Sequence, residues 1–297
     1  MGLYGNSWTR SRHPDLAPVL SLIFGAVLWG VVWYPMRLLE SRGLAGIWLT
    51  LVLYGSALVV SLPFVLRDGR LAKPSYLLAL LALFSGWTNV AFVLAVLKGN
   101  IVRVMLLFYL SPAWTVVFAR LLLNERVSRR AAWTILMSVI GTVALLWRPA
   151  AGMATFRMGH SDWLALSAGI AFAAANVMTK RLSSVSLNAK SASVWVGVVA
   201  VAGTLAIVLR LPAPEVAIQT LFAAAALGAG GILSMTYLIQ FGVTHLPAQR
   251  SSVIMLTELI AGALSQRLLT SERLAPWAWA GGALIAASAY IASRPSS

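Results

Sequence analysis

The chain has 297 residues, of which 60% are hydrophobic and 10% charged, and its mean hydropathy is +0.84. A soluble domain of this length needs far more surface charge, so the composition excludes a soluble globular protein and predicts a polytopic membrane protein. The net charge of +15 is scattered over short loops and helix ends, which argues against nucleic-acid binding, and the absence of cysteine excludes disulfides and thiolate metal sites.

Ten apolar runs follow one another from end to end, each long enough to span a bilayer as a helix. In chain order they cover residues 16–38, 46–66, 76–97, 102–122, 130–148, 163–182, 191–210, 219–241, 248–269 and 276–293. The first run is too long for a signal peptide and lacks a small-residue cleavage site, so we expect an uncleaved helix. The predicted fold class is an all-α polytopic membrane protein with ten transmembrane helices.

The positive charges indicate an orientation in the membrane. The N-terminal tail, the loops after helices two, four, six and eight, and the C-terminus together carry fourteen Lys and Arg, against nine in the opposite loops. Because Lys and Arg concentrate on the cytoplasmic side, we expect a multi-pass protein of the cell (inner) membrane with both termini in the cytoplasm.

An internal repeat is the most specific signal in the sequence. The segment ARLLLNERV at 119–127 is matched by QRLLTSERL at 266–274, and the same offset of 147 residues pairs Arg103 with Arg250. Each half contains five predicted spans, and an odd number of spans inserts the second copy upside down. The sequence therefore predicts two inverted five-helix repeats.

The predicted organisation has three parts. Residues 1–15 form a cytoplasmic N-terminal tail, residues 16–150 the first five-helix repeat, and residues 163–294 the second, inverted one.

Several short motifs accompany this repeat in a fixed order. They are the Trp29-Gly30 pair in helix one, Leu-Ser-Pro at 110–112 in helix four, and the two Glu-Arg loops. Together with the helix count they resemble the EamA-type transporters of the drug/metabolite transporter (DMT) superfamily, over about residues 20–293. The resemblance implies ten helices around a central cavity, alternating access, and export of amino acids or other small metabolites.

One departure from the family concerns helix nine. The family often has Glu-Pro there, whereas here Glu258 is followed by Leu259. We therefore expect helix nine to lack the break that Pro112 introduces in helix four.

Glu258 is also the one acid predicted to lie deep in the membrane. Arg250 and Arg267 of the same helix, like Arg103 and Arg120 of helix four, are seventeen residues apart. This spacing is about 26 Å along a helix, so we expect the arginines at the interfaces and Glu258 near the midplane. An ionised carboxylate is costly there unless it is paired or hydrated. We predict that Glu258 exchanges protons or binds a substrate amine; alternatively, it is a protonated glutamate hydrogen-bonded to a neighbouring helix.

Aromatic and polar residues in the predicted interior stretches complete the candidate site. They would suit an aromatic, amphipathic or cationic solute, although buried aromatic residues also serve packing. The candidate substrate-binding residues are Trp29, Trp33, Tyr34, Trp87, Asn89, Phe108, Tyr109, Ser111, Asn176, Tyr237 and Gln240.

Other features have a structural interpretation. Tryptophans near predicted helix ends are assigned to the interfacial belt, namely Trp48, Trp133, Trp147, Trp163, Trp195, Trp277 and Trp279. In helix eight, Gly228, Gly230 and Gly231 either permit close packing or mark a pliable gate.

The resemblance to the EamA-type transporters implies a secondary active transporter that exports amino acids or related amphipathic and aromatic solutes, and Glu258 is the candidate residue for proton coupling. An importer or a facilitative exchanger of a small metabolite fits the same features. The expected partners are a small-molecule solute and the lipid bilayer, without nucleic acid, and the chain is expected to act as a monomer or a weak homodimer.

Two other classes fit less well. A membrane-embedded enzyme would need clustered catalytic groups, but His13, His160 and His245 are far apart in sequence and no hydrolase or metalloprotease motif occurs. We therefore expect neither an enzyme nor a cofactor or metal. A channel commonly uses rings of groups from several subunits, whereas an inverted repeat favours alternating access.

Overall fold

A computed structural model of the chain describes residues 16–67, 75–99, 101–147, 158–270 and 275–294. Within these ranges every regular element is a helix. The helices are α1 (Leu16–Val31), α2 (Trp33–Glu40), α3 (Gly46–Arg67), α4 (Tyr76–Lys98), α5 (Ile101–Phe108), α6 (Ser111–Leu123), α7 (Arg129–Leu146), α8 (His160–Arg181), α9 (Leu187–Val208), α10 (Ile218–Ala226), a π-helical turn (Leu227–Ile232), α11 (Leu233–His245), α12 (Ala248–Met255), α13 (Thr257–Leu269) and α14 (Pro276–Ser293).

These helices confirm the predicted fold class. Over the described residues, nine helical segments are long and apolar enough to cross a membrane, and they correspond to the first nine predicted spans. The tenth, α14, also has the necessary length of 18 residues. Its glycines and tryptophans lower its hydropathy, and this explains why it is not among the nine.

The two repeats interlock. Helix α4 of the first repeat packs along α8 and α9 of the second, and α7 packs along α14. The α7–α14 contact depends on small residues: a Cβ atom added at Gly141 would lie 2.8 Å from the carbonyl oxygen of Gly281. Backbone-to-backbone packing of this kind explains the runs of glycine and alanine in the second half of the sequence.

Among the described residues, four membrane spans are interrupted. The first is divided at Val32, the fourth at Tyr109–Leu110, the ninth at Leu256, and the eighth contains the π-helical turn. Pro35 and Pro112 account for the first two breaks, because a proline clashes with the preceding turn and lacks an N–H donor.

The break in helix nine contradicts our expectation that it would be absent. At this point i to i+3 hydrogen bonds replace the helical ladder: Leu256 N–H donates to the carbonyl of Val253 (3.2 Å) and Leu259 N–H to that of Leu256 (3.1 Å). The offset of 147 residues aligns Leu256 with Tyr109. The repeat therefore keeps the break while its second copy lacks the proline.

The tryptophan belt is only partly as predicted. Five of the seven residues are 42–65% exposed, namely Trp133, Trp147, Trp163, Trp277 and Trp279. The assignment of Trp195 was wrong, because its side chain is fully buried and its Nε1–H donates to Thr236 Oγ1 at 3.1 Å. Trp48 packs against the same hydrophobic core and its Nε1 atom is buried. Helix α9 begins at Leu187, four residues before the predicted start, which moves Trp195 away from the helix end.

The arginines of spans four and nine lie at or near helix ends. Arg103 Nε pairs with Asp162 Oδ1 at 3.0 Å, joining the starts of α5 and α8. Arg250 donates to the carbonyls of Ala292 (2.6 Å) and Ser293 (2.7 Å) at the end of α14. Arg120 and Arg267 are exposed.

Candidate functional site around Glu258

Glu258 lies where two broken helices meet. It is the second residue of α13, directly after the break at Leu256, and its carboxylate oxygen Oε1 accepts a hydrogen bond from the Tyr109 hydroxyl. Tyr109 itself lies in the break between α5 and α6. The tyrosine belongs to the first repeat and the glutamate to the second, so this hydrogen bond crosses the repeat interface.

Helix α1 approaches the same turn of α13 at Gly30. A Cβ atom on Gly30 would overlap the carbonyl oxygen of Glu258 and would lie 2.7 Å from Ala261 Cβ and 2.8 Å from the amide nitrogen of Gly262. The glycine of the Trp29-Gly30 pair thus permits direct contact between the two backbones. The sequence contained this motif but gave no indication that its contact was Glu258.

Trp33 extends the contact between these helices. Its Nε1–H donates to Ser265 Oγ at 2.9 Å, and the Ser265 hydroxyl also lies 3.3 Å from the Gly30 carbonyl. Tyr34, which is 36% exposed, stacks edge-on against Trp33 at 5.7 Å between ring centroids. Ser265 was not among the sequence-predicted residues, because a serine in an apolar helix carries no distinctive signal.

An aromatic cluster centred on Phe108 includes Tyr109. The ring centroid of Phe108 lies 5.2 Å from that of Tyr109, 4.8 Å from Phe92 and 5.4 Å from Phe172. The backbone of Phe108 packs directly on α8, since a Cβ atom on Gly169 would lie 2.6 Å from the Phe108 carbonyl oxygen. Phe92 and Phe172 were missed by the sequence interpretation, which had no means of placing helices three and six beside Phe108.

A second group of predicted residues lies apart from this cluster. Trp29 and Tyr237 pack against the buried core that contains Trp195, and the Tyr237 hydroxyl donates to Asn188 Oδ1 at 2.7 Å. The amide oxygen of Asn89 accepts a hydrogen bond of 2.8 Å from the Tyr54 hydroxyl. These side chains belong to spans one, two, three, seven and eight.

The remaining candidates occupy three different environments. Trp87 is 40% exposed and its Nε1–H donates to Ser167 Oγ at 3.2 Å. Ser111 is buried at the start of α6, where its carbonyl accepts from Thr115 Oγ1. Asn176 and Gln240 are more than nine-tenths buried, and the Nδ2 and Oε1 atoms of these residues have no hydrogen-bond partner among the described residues.

The described part of the chain contains no group of three or more His, Asp or Glu side chains that could hold a metal ion. The described side chains around Glu258 supply a carboxyl group, a phenol and aromatic rings. Such a set can exchange a proton, bind an amine and stack against an aromatic solute.

Comparison with known proteins identifies the family. A family model described as the EamA-like transporter family matches residues 16–147 and residues 160–294, one match for each repeat. A search of curated proteins finds no match. Among 28 matching solved chains, one crystal structure has a TM-score of 0.79 at 17% sequence identity and covers 94% of this chain and 96% of its own. This likeness shows that the fold is shared. Since the family model covers both repeats, the chain belongs to the EamA-like transporter family and is a multi-pass membrane transporter of the DMT type.

Proposed function

We propose that the protein is a secondary active transporter that exports amino acids or related amphipathic and aromatic solutes by alternating access, coupled to protons through Glu258. The observation that supports this proposal is the hydrogen bond from Tyr109 to Glu258 between the two broken helices. It combines an ionisable group within the membrane with helix segments that can tilt separately.

The chemistry of the cycle follows from the cost of charge in a low-dielectric environment. Glu258 is more stable as a neutral acid while it is sealed from water, and as a carboxylate when it is hydrated or faces an ammonium group. A solute amine and a proton therefore compete for the same carboxyl group. When one side of the transporter opens and water reaches Glu258, a proton replaces the departing solute on the carboxyl group. On the other side, a solute replaces the departing proton.

The aromatic cluster supports the solute class. The ring centroids of Phe92, Tyr109 and Phe172 each lie 4.8–5.4 Å from that of Phe108, and Tyr109 connects this cluster to Glu258. Aromatic faces attract ammonium groups and apolar rings alike. An amino acid with an aromatic side chain offers both.

The first experiment identifies the transported solute. Cells expressing the wild-type protein are compared with cells expressing Glu258→Gln by quantifying metabolites inside the cells and in the medium. We expect the exported solute to accumulate in the medium with the wild-type protein and to remain inside with the variant. Trp133→Phe is the matched control, because that side chain is 65% exposed on the outer surface of the helix bundle.

The coupling is then measured in proteoliposomes with the identified solute and an imposed pH gradient. Gln is nearly isosteric with Glu and cannot titrate, so Glu258→Gln is expected to abolish the response of transport to the pH gradient. Glu258→Asp should retain part of this response. Tyr109→Phe removes one hydroxyl and should change the rate while leaving the coupling in place. Wild-type rate and pH dependence in the Gln variant would make Glu258 a structural residue and refute the proposal.

A further inference from the structure

Two lysines outside the Glu258 region converge on one threonine. Lys190, in the first turn of α9, is fully buried, and its Nζ donates to Thr244 Oγ1 at 2.6 Å. Lys180 Nζ donates to the Thr244 carbonyl oxygen at 3.0 Å. Thr244 lies in the last turn of α11. This end of the bundle is the one predicted to face the cytoplasm.

Within the described ranges, little negative charge faces the two ammonium groups. Glu125 acts electrostatically on Lys180, but its Oε1 also accepts from the amide of Ala248, at the positive N-terminus of α12, at 3.3 Å. Lys190 has the neutral Thr244 hydroxyl and the like charge of Lys180 beside it. The carbonyl end of α11 supplies a further partial negative charge of about half a unit. A fully buried ammonium group normally has a closer counter-charge, because its desolvation is expensive.

Two buried amide side chains lie one turn further into the membrane. Asn176 precedes Lys180 by one turn of α8, and Gln240 precedes Thr244 by one turn of α11. Helices α8 and α11 run in the same direction, because one span separates them, and the Lys180–Thr244 hydrogen bond joins them. Asn176 and Gln240 each lie one turn deeper than a residue of this hydrogen bond, and we refer to this region as the layer beneath the lysines. In the part of the chain that the structure describes, Asn176 Nδ2 has no acceptor and Gln240 Oε1 has no donor.

We propose that Lys180, Lys190, Asn176 and Gln240 form a second solute site, on the predicted cytoplasmic side, that binds the carboxylate of an amino acid. The inference rests on the proposed function and specifies its substrate class. The ammonium groups and Asn176 Nδ2–H donate to the carboxylate, and Gln240 Oε1 accepts from the solute's amine. The structure thus assigns a zwitterion to this layer.

The two sites act in sequence. Ala248, which is bound to Glu125, precedes Glu258 by ten residues, and ten residues of helix span about 15 Å. A small amino acid cannot reach both places at once. It binds first at the lysines and then moves to Glu258 and the aromatic cluster.

The test uses three probes that share a phenyl ring and differ in charge. Phenylalanine is a zwitterion, 3-phenylpropionate has only the carboxylate and phenethylamine only the amine. Binding of each to the purified full-length protein is measured calorimetrically. We expect Lys190→Met to weaken 3-phenylpropionate binding about tenfold or more, the usual effect of losing a hydrogen bond to a charged group, and to leave phenethylamine unchanged. Glu258→Gln should show the opposite pattern.

Asn176→Asp provides a second variant that preserves the side-chain shape. Its carboxylate would pair with the lysines from within the protein, so it should fold even if Lys190→Met does not, and it should exclude 3-phenylpropionate. Unchanged 3-phenylpropionate affinity in Asn176→Asp, or no binding to the wild-type protein, would show that the lysines only stabilise the end of α11 and would overturn the proposal. Inorganic phosphate that binds at least as tightly as the carboxylate probe would overturn the assignment to a carboxylate.

The two proposals can fail independently. Loss of carboxylate binding in Asn176→Asp, together with normal transport by Glu258→Gln, would support the lysine site and refute proton coupling at Glu258. The reverse result would support coupling at Glu258 and refute the lysine site.

Discussion

Gly30→Ala tests whether the backbone contact between α1 and α13 holds Glu258 in place. The added Cβ atom would overlap the carbonyl oxygen of Glu258 and would lie 2.7 Å from Ala261 Cβ and 2.8 Å from the amide nitrogen of Gly262. None of these atoms is the end of a flexible side chain. The two helices must therefore separate by about 1 Å, since interiors are closely packed and non-bonded carbon atoms require about 3.5–4 Å.

The expected cost follows from the packing defect. Overpacking of this size costs typically about 1–3 kcal/mol, and Ala would recover less than about 1 kcal/mol through its better helix propensity. A net loss of about 2 kcal/mol should lower the midpoint of thermal unfolding by about 4–8 °C. Because the shifted atoms include the backbone of Glu258, the transport rate should fall even at temperatures where the variant remains folded.

The assay is thermal unfolding of the purified protein in detergent, followed by solute flux at a temperature where the variant is folded. Gly55→Ala is the matched control, because its Cβ atom would have nothing within 4 Å and it also lies within a membrane helix. A Gly30→Ala protein with the stability and flux of the Gly55→Ala control would refute the reasoning that this contact positions Glu258.

Three further predictions concern other parts of the chain. Both termini are proposed to be cytoplasmic, so a single cysteine introduced at Asn6 or Ser297 of this cysteine-free chain should be labelled only from the inside, and one at Arg157 only from the outside. Labelling of the two termini from opposite sides would mean that a helix was miscounted. Gly228→Ala should destabilise the protein, because its Cβ atom would overlap Ser56 Oγ in α3, whereas Gly230→Ala has open space and should not; equal melting temperatures would contradict this. Asp162→Asn weakens the ion pair with Arg103 and should lower the free energy of unfolding, measured by chemical denaturation, by about 1–2 kcal/mol. The control Glu215→Gln, at an exposed position, should leave the free energy of unfolding unchanged.

The spans and their number could be predicted because the bilayer fixes both length and composition. Every predicted span overlaps a helix, and the first and last predicted residues of the ninth span coincide with the ends of α12 and α13. The predicted start of the seventh span was wrong because a charged residue there is buried. Lys190 was placed outside the seventh span, yet it lies within α9 and is fully buried, and this error also put Trp195 at a helix end.

The partners within the site could not be predicted, because they depend on how the repeats dock. Nothing in the local sequence places Tyr109 against a glutamate 149 residues away, or Gly30 against the same turn. The break at Leu256 has no proline or glycine to indicate it. The sequence indicates this break only through the repeat, which aligns Leu256 with Tyr109 at the break of helix four.

The symmetry of the repeat is broken at the proposed coupling residue. The offset of 147 residues aligns Glu258 with Ser111, a buried serine at the start of α6. A symmetric pair would place two carboxyl groups on either side of the repeat interface, and two carboxylates at short range cannot both ionise. With one glutamate and one tyrosine, a single group changes charge while the phenol supplies a hydrogen bond in both states. Under the proposed mechanism, this asymmetry limits coupling at the Glu258 site to one proton in each transport cycle.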